Sequence, residues 1–90
     1  MKLWMISQNE NDDYDTFDSA VVAAETEADA RHMSPADIWM SPGHIRSDAE
    51  REDNKRCYWT SNVDAVTVRL LGEAAPGMEA EIICASFNAG

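Results

Sequence analysis

The chain has 90 residues, with seventeen Asp or Glu against seven Lys or Arg, a net charge of −10 and 44% apolar residues. At this length a single domain over residues 1–90 with a small core is the limit, which argues against a large enzyme cleft, while the apolar share is too high for a disordered chain. The shortage of Lys and Arg argues against direct binding to bare nucleic acid or an anionic membrane, because both need cations to displace counterions from phosphate.

Lys2 to Gln8 reads as a strand with Leu3 and Met5 on one face and Trp4 and Ile6 on the other. Apolar groups on both faces predict an interior strand. Asn9 to Asp15 is a run of turn formers, read as an exposed loop. Phe17 to Ala24 is a second strand, whose small and β-branched residues suit a sheet covered by a helix. That helix follows directly. Thr26 is a suitable N-cap, Glu27 and Asp29 place acids in the first turn, and Arg31 and His32 place basic groups in the last, matching the helix dipole.

Pro35 stops this helix, and Ser34-Pro35-Ala36-Asp37 is a second start signal, predicting one further turn through Trp39. Ser41-Pro42-Gly43 ends it. From His44 to Lys55 the chain is strongly polar, with Ile45 and Ala49 nearly alone as apolar residues, and it reads as a mobile loop or an exposed turn of helix. Cys57 to Thr60 reads as a short pairing segment. Val63 to Glu73 alternates as a strand, Gly72 to Gly77 supplies turn chemistry, and Met78 to Phe87 returns as its partner, with Met78, Ala80, Ile82 and Cys84 on one face. The expected fold is α+β, a four-stranded mainly antiparallel sheet with one main helix on one face, in the order β-β-α-β-β, with an irregular polar segment in the middle.

No motif points to catalysis, and none to a cofactor. The glycines sit at turns or the terminus, with no phosphate loop or nucleophile elbow. Asn9, Asn11, Asp13 and Asp15 alternate as calcium-loop ligands do, but the Gly and Glu that an EF-hand loop requires are missing, and His32, His44 and Cys57 do not match zinc spacings. No metal or cofactor is expected. Cys84 reads as a small buried hydrophobe. No apolar run approaches the ~18 residues of a membrane span, and the N-terminus lacks an export signal, so a cytoplasmic location with reduced thiols is expected.

Charge is distributed unevenly. Residues 1–30 hold eight acids and one base, residues 31–60 five of each, and residues 61–90 four acids and one base. Between Lys2 and Arg31 there is no cation, and Glu10, Asp12, Asp13, Asp15 and Asp18 fall within nine positions. Two readings stand: an acidic surface that engages a basic partner, or a solvated loop that aids solubility. Trp39 and Trp59 flank the polar middle and read either as caps on the small core or as apolar anchors of an interface.

The run Tyr14 to Arg31 (YDTFDSAVVAAETEADAR), the opening Met1 to Gln8 (MKLWMISQ) and the ending Ile83 to Gly90 (ICASFNAG) resemble small proteins encoded in tailed bacteriophages and prophages. The resemblance covers the two ends, about half the chain, and brings no catalytic residue with it. It implies a phage context in a bacterial host cell, where small acidic proteins often inhibit host defence, as anti-CRISPR proteins and DNA mimics do. The leading expectation is therefore a non-enzymatic inhibitor. It would dock on a basic, nucleic-acid-binding surface of a host protein complex through Glu10, Asp12, Asp13, Asp15 and Asp18, with Trp39 or Trp59 as an apolar anchor. The alternatives are a nucleotide-signal binding module, a possible homodimer using the cations Arg46, Arg51, Lys55 and Arg56, and an assembly accessory of the virion.

Overall fold

The computed structural model describes residues 1–9, 16–38, 41–47, 59–60 and 63–88. Its elements are β1 (Lys2–Ser7), β2 (Thr16–Ala24), α1 (Glu27–His32), a 3₁₀ turn at Pro35–Asp37, a second at Val63–Ala65, β3 (Thr67–Glu73) and β4 (Glu81–Asn88). The strands form one antiparallel sheet in the order β3-β1-β2-β4. This is the expected α+β architecture, with four strands and one helix. Among the described residues no helix is long and apolar enough to cross a membrane.

The two-sided apolar pattern of Lys2–Gln8 has the predicted result: β1 is central, flanked by β2 and β3. Residues paired across neighbouring strands share a face. One face carries Trp4 opposite Val22, Ile6 opposite Ala20 and Val22 opposite Ile82. These pack with Ala30, Met33, Trp59 and Val66 in the core, where Ile6 and Val22 are fully buried. Burial of each such aliphatic side chain contributes about 1.5–3 kcal/mol. The Trp4 indole N–H donates to the Ala24 carbonyl at 3.0 Å, so its polar atom enters the core with a partner.

The end signals of α1 are realised as read. The Thr26 hydroxyl accepts from the Asp29 N–H, Glu27 and Asp29 stand in the first turn, and Arg31 and His32 in the last. Ser34 caps the turn that Pro35 begins. Arg31 then reaches across to the second 3₁₀ turn: its guanidinium donates to the carbonyls of Val63 and Val66 and pairs with Glu27. The helix is thereby tied to the start of β3.

Four expectations are corrected. Met78–Phe87 is not the partner of Val63–Glu73: β3 and β4 occupy opposite edges of the sheet, because the central hairpin of β1 and β2 offers one free edge to each. The connection between them crosses the sheet end, where the Ala74 N–H donates to the Met1 carbonyl and a turn closes from Met78 N–H to Ala75 O. Pro76 and Gly77, the latter at φ 85°, fit the two central positions of a type II turn. Second, the strand expected from Val63 opens as a 3₁₀ turn and pairs only from Thr67. Third, residues 44–47 form no turn of helix: Ile45 bridges to Met33, and the Arg46 N–H donates to the His32 carbonyl, while residues 48–55 of the expected loop lie outside the described residues. Fourth, Trp59 and Thr60 are buried but lie outside any strand.

Candidate functional site

The sheet has a second face, and the pairing registers place its side chains in three rows. Thr67, Ser7, Ser19 and Ser86 form a row of hydroxyls across all four strands. The next row is Arg69, Met5, Val21 and Cys84, and the third is Gly72, Leu3, Ala23 and Glu81. The side chains of the main core cluster stand on the opposite side, and Ala23 in the third row is itself fully buried. Between Met5, Ser19, Val21, Cys84 and Ser86 lies a shallow open depression of about 200 Å³.

Cys84 is exposed on this face, which corrects its reading as a buried hydrophobe. A register shift explains the difference. Val21 pairs with Cys84 and Val22 with Ile82, so Ile83 is an extra residue, and the alternation that would carry Ile82 and Cys84 to the same face is broken. The same happens on β3: Trp4 pairs with Leu70 and Leu3 with Gly72, which leaves Leu71 as the extra residue. Both edge strands therefore carry a bulge at an exposed aliphatic residue, Leu71 and Ile83. Bulges of this kind twist an edge out of register with an incoming strand.

A third register shift lies where the acids begin. Phe17 pairs with Phe87 and Ser19 with Ser86, so Asp18 is the extra residue of β2, and it is exposed while Phe17 beside it is buried. Gln8 fixes this end of the sheet: its backbone N–H donates to Asp18 O at 3.1 Å and its side-chain amide to Phe17 O at 3.0 Å. Asp18 is the one acid of the proposed partner surface within the described residues. Glu10, Asp12, Asp13, Asp15 and Trp39 lie outside them.

Among the described residues, the acids of the N-terminal third do not form a single surface. Asp18 belongs to the hairpin end of β2, whereas Glu25, Glu27 and Asp29 follow its other end. At about 3.3 Å per residue, the stretch of strand from Asp18 to Ala24 separates these two groups by about 20 Å. Glu27 is already paired with Arg31 at 2.9 Å.

Trp59 is a core residue, 3% exposed, which decides between its two readings in favour of capping the core and removes it as a surface anchor. Arg46 is likewise engaged, donating to both carboxylate oxygens of Asp37, with only 13% of its side chain exposed. The other cations proposed for a nucleotide pocket, Arg51, Lys55 and Arg56, lie outside the described residues. His32 takes the helix-end role expected of it, its Nδ1 at 2.8 Å from Ala28 O. Among the described residues no three His, Cys, Asp or Glu side chains converge as metal ligands would.

No family model, curated protein sequence or solved structure matches the chain.

Proposed function

We propose that the protein is a non-enzymatic, phage-encoded inhibitor of a bacterial host defence system, acting in the host cytoplasm by binding a basic, nucleic-acid-binding protein surface. The observation that carries this reading is the run of acids in the sequence between β1 and β2. Glu10, Asp12, Asp13, Asp15 and Asp18 fall in and beside the chain that joins β1 to β2, with no Lys or Arg between positions 2 and 31 to offset them, and Asp18 is turned outward by a bulge. Carboxylates at this density favour a partner that ordinarily holds phosphates, because the same cations recognise both and the long-range field steers the encounter. The phage context comes from the resemblance of the chain's two ends, and the inhibitory role from analogy with small acidic phage proteins.

The test is affinity capture from bacterial cells on the immobilised full chain, comparing it with a variant in which Asp12, Asp13, Asp15 and Asp18 are replaced by Lys. A basic nucleic-acid-binding protein should be retained by the parent, released by salt at about 0.5 M, where the screening length falls to a few Å, and not retained by the variant. A partner held equally by both chains rejects the electrostatic reading.

A further inference from the structure

We propose that the open face of the sheet is the contact between two copies of this chain, packed face to face about a twofold axis that runs along the strands. The inference goes beyond the proposed function and does not rest on it.

The face is divided by side-chain size. In the second and third rows β1 and β3 supply Met5, Arg69 and Leu3, whereas β2 and β4 supply the smaller Val21, Cys84 and Ala23. The depression of about 200 Å³ lies mostly on the smaller half, bordered by Met5. The strand order β3-β1-β2-β4 puts the two halves on either side of a line between β1 and β2. A half-turn about an axis above that line carries β1 onto β2 and β3 onto β4 of the second copy, and each row meets itself. Met5 then enters the depression at Val21 of the second copy, Leu3 meets Ala23 and Ser7 meets Ser19, so large stands against small in both copies at once. Ala23 is already buried within its own chain, so the rows of Met5 and Ser7, whose members are half-buried or exposed, carry most of the contact.

Charge follows the same symmetry. Arg69 comes over the β4 edge of the second copy, opposite Cys84 and one row, about 7 Å, from Glu81. Gly72 faces Glu81 itself and has no side chain to bar the guanidinium. Stacked sheets rotate by about 30°, which moves these edges by about 4 Å, within the reach of an Arg side chain. Arg69 and Glu81 are both exposed in the single chain, and the axis forms their pair twice. An axis across the strands would set Arg69 against Arg69 and the depression against itself.

Two chains of charge −10 repel at long range, and the patch covers a few hundred Å² of each copy, short of the roughly 800 Å² per partner of a standard interface. The dimer is therefore weak, with a Kd on the order of 10–100 µM.

The test is sedimentation equilibrium of the full chain from about 5 µM to about 1 mM, in about 0.3 M salt, where charges are screened beyond about 6 Å. The parent should pass from monomer to dimer across that range. Arg69→Glu and Glu81→Arg should each weaken the dimer about tenfold by setting like charges together, and the double exchange, which restores the net charge of −10, should return it to within about threefold of the parent. A monomer throughout overturns the proposal, as does a dimer indifferent to all three variants. In a chain carrying Cys57→Ser and Arg69→Cys, a short bismaleimide should join position 69 of one copy to Cys84 of the other in a covalent dimer, since the two positions stand about 14 Å apart at opposite edges of one sheet. Peptide mapping that finds Cys84 joined only to Cys84 assigns the axis across the strands and overturns the arrangement.

Discussion

The Asp37 carboxylate accepts two hydrogen bonds from the Arg46 guanidinium, one from Nε and one from Nη2, each 2.9 Å long. The two side chains are 16% and 13% exposed, so the pair is largely withdrawn from water. It joins the 3₁₀ turn at Pro35–Asp37 to the segment at residues 44–47. Arg31 makes a similar tie at Val63 and Val66, so two arginines anchor the chain on either side of residues 48–58.

Asp37→Ala leaves the Arg46 charge without its carboxylate in a site with little access to water, and should cost about 2–3 kcal/mol in urea unfolding. The double variant Asp37→Leu, Arg46→Met should recover most of that loss. Glu27→Ala, at the far more exposed pair with Arg31, should cost under about 0.5 kcal/mol. Equal losses at Asp37 and Glu27 would show that burial of the pair does not set its contribution.

Thr26→Ala removes the hydroxyl that caps α1 and should destabilise the fold by about 1 kcal/mol, with Thr26→Ser close to neutral. Much of α1 and of the inner sheet was legible in the sequence for the same local reasons. A cap, a charge gradient and a proline act within a few residues, and Trp4 and Ile6 alternate without interruption. The outer strands were harder to read because their determinants are not local. Ile83 and Leu71 look like ordinary members of an alternating run, and only the partner strand shows them to be extra residues. The Gly72–Gly77 turn signals were real, but they serve a crossover between opposite edges and not a hairpin. Asp18 could be identified as an acid of interest, but its outward bulge could not be read from the residue string.

Adjacent residues of β2 test the assignment of faces. Val22→Ala opens space in the core and should cost about 2 kcal/mol, whereas Val21→Ser, on the open face, should stay within about 1 kcal/mol of the parent. A larger loss at Val21 than at Val22 would invert the sheet.

Gly43 sits against the crossover that leads into β4. A Cβ built there would lie 2.3 Å from the Ala80 carbonyl oxygen, so Gly43→Ala must push two backbone segments apart. The adjacent bond from Ile82 N–H to Pro42 O, 2.7 Å long, should loosen with it. Expected outcomes are a loss of about 1–3 kcal/mol and faster hydrogen exchange at Ile82, with exchange at Ile6 accelerated only as far as the loss of global stability requires.

The strand order also sets the sequence of assembly. β1 and β2 are synthesised next to one another and can pair early, but each waits for its outer neighbour until β3 and β4 follow, more than forty residues after the end of β2. Until then the hairpin presents two bare strand edges, one carrying Leu, Trp, Met and Ile of β1 and the other Val and Ala of β2, the kind of template on which chains associate with one another. The carboxylates carried in the same stretch keep such half-made sheets apart, so the charge that would guide a partner also protects the chain during its own folding.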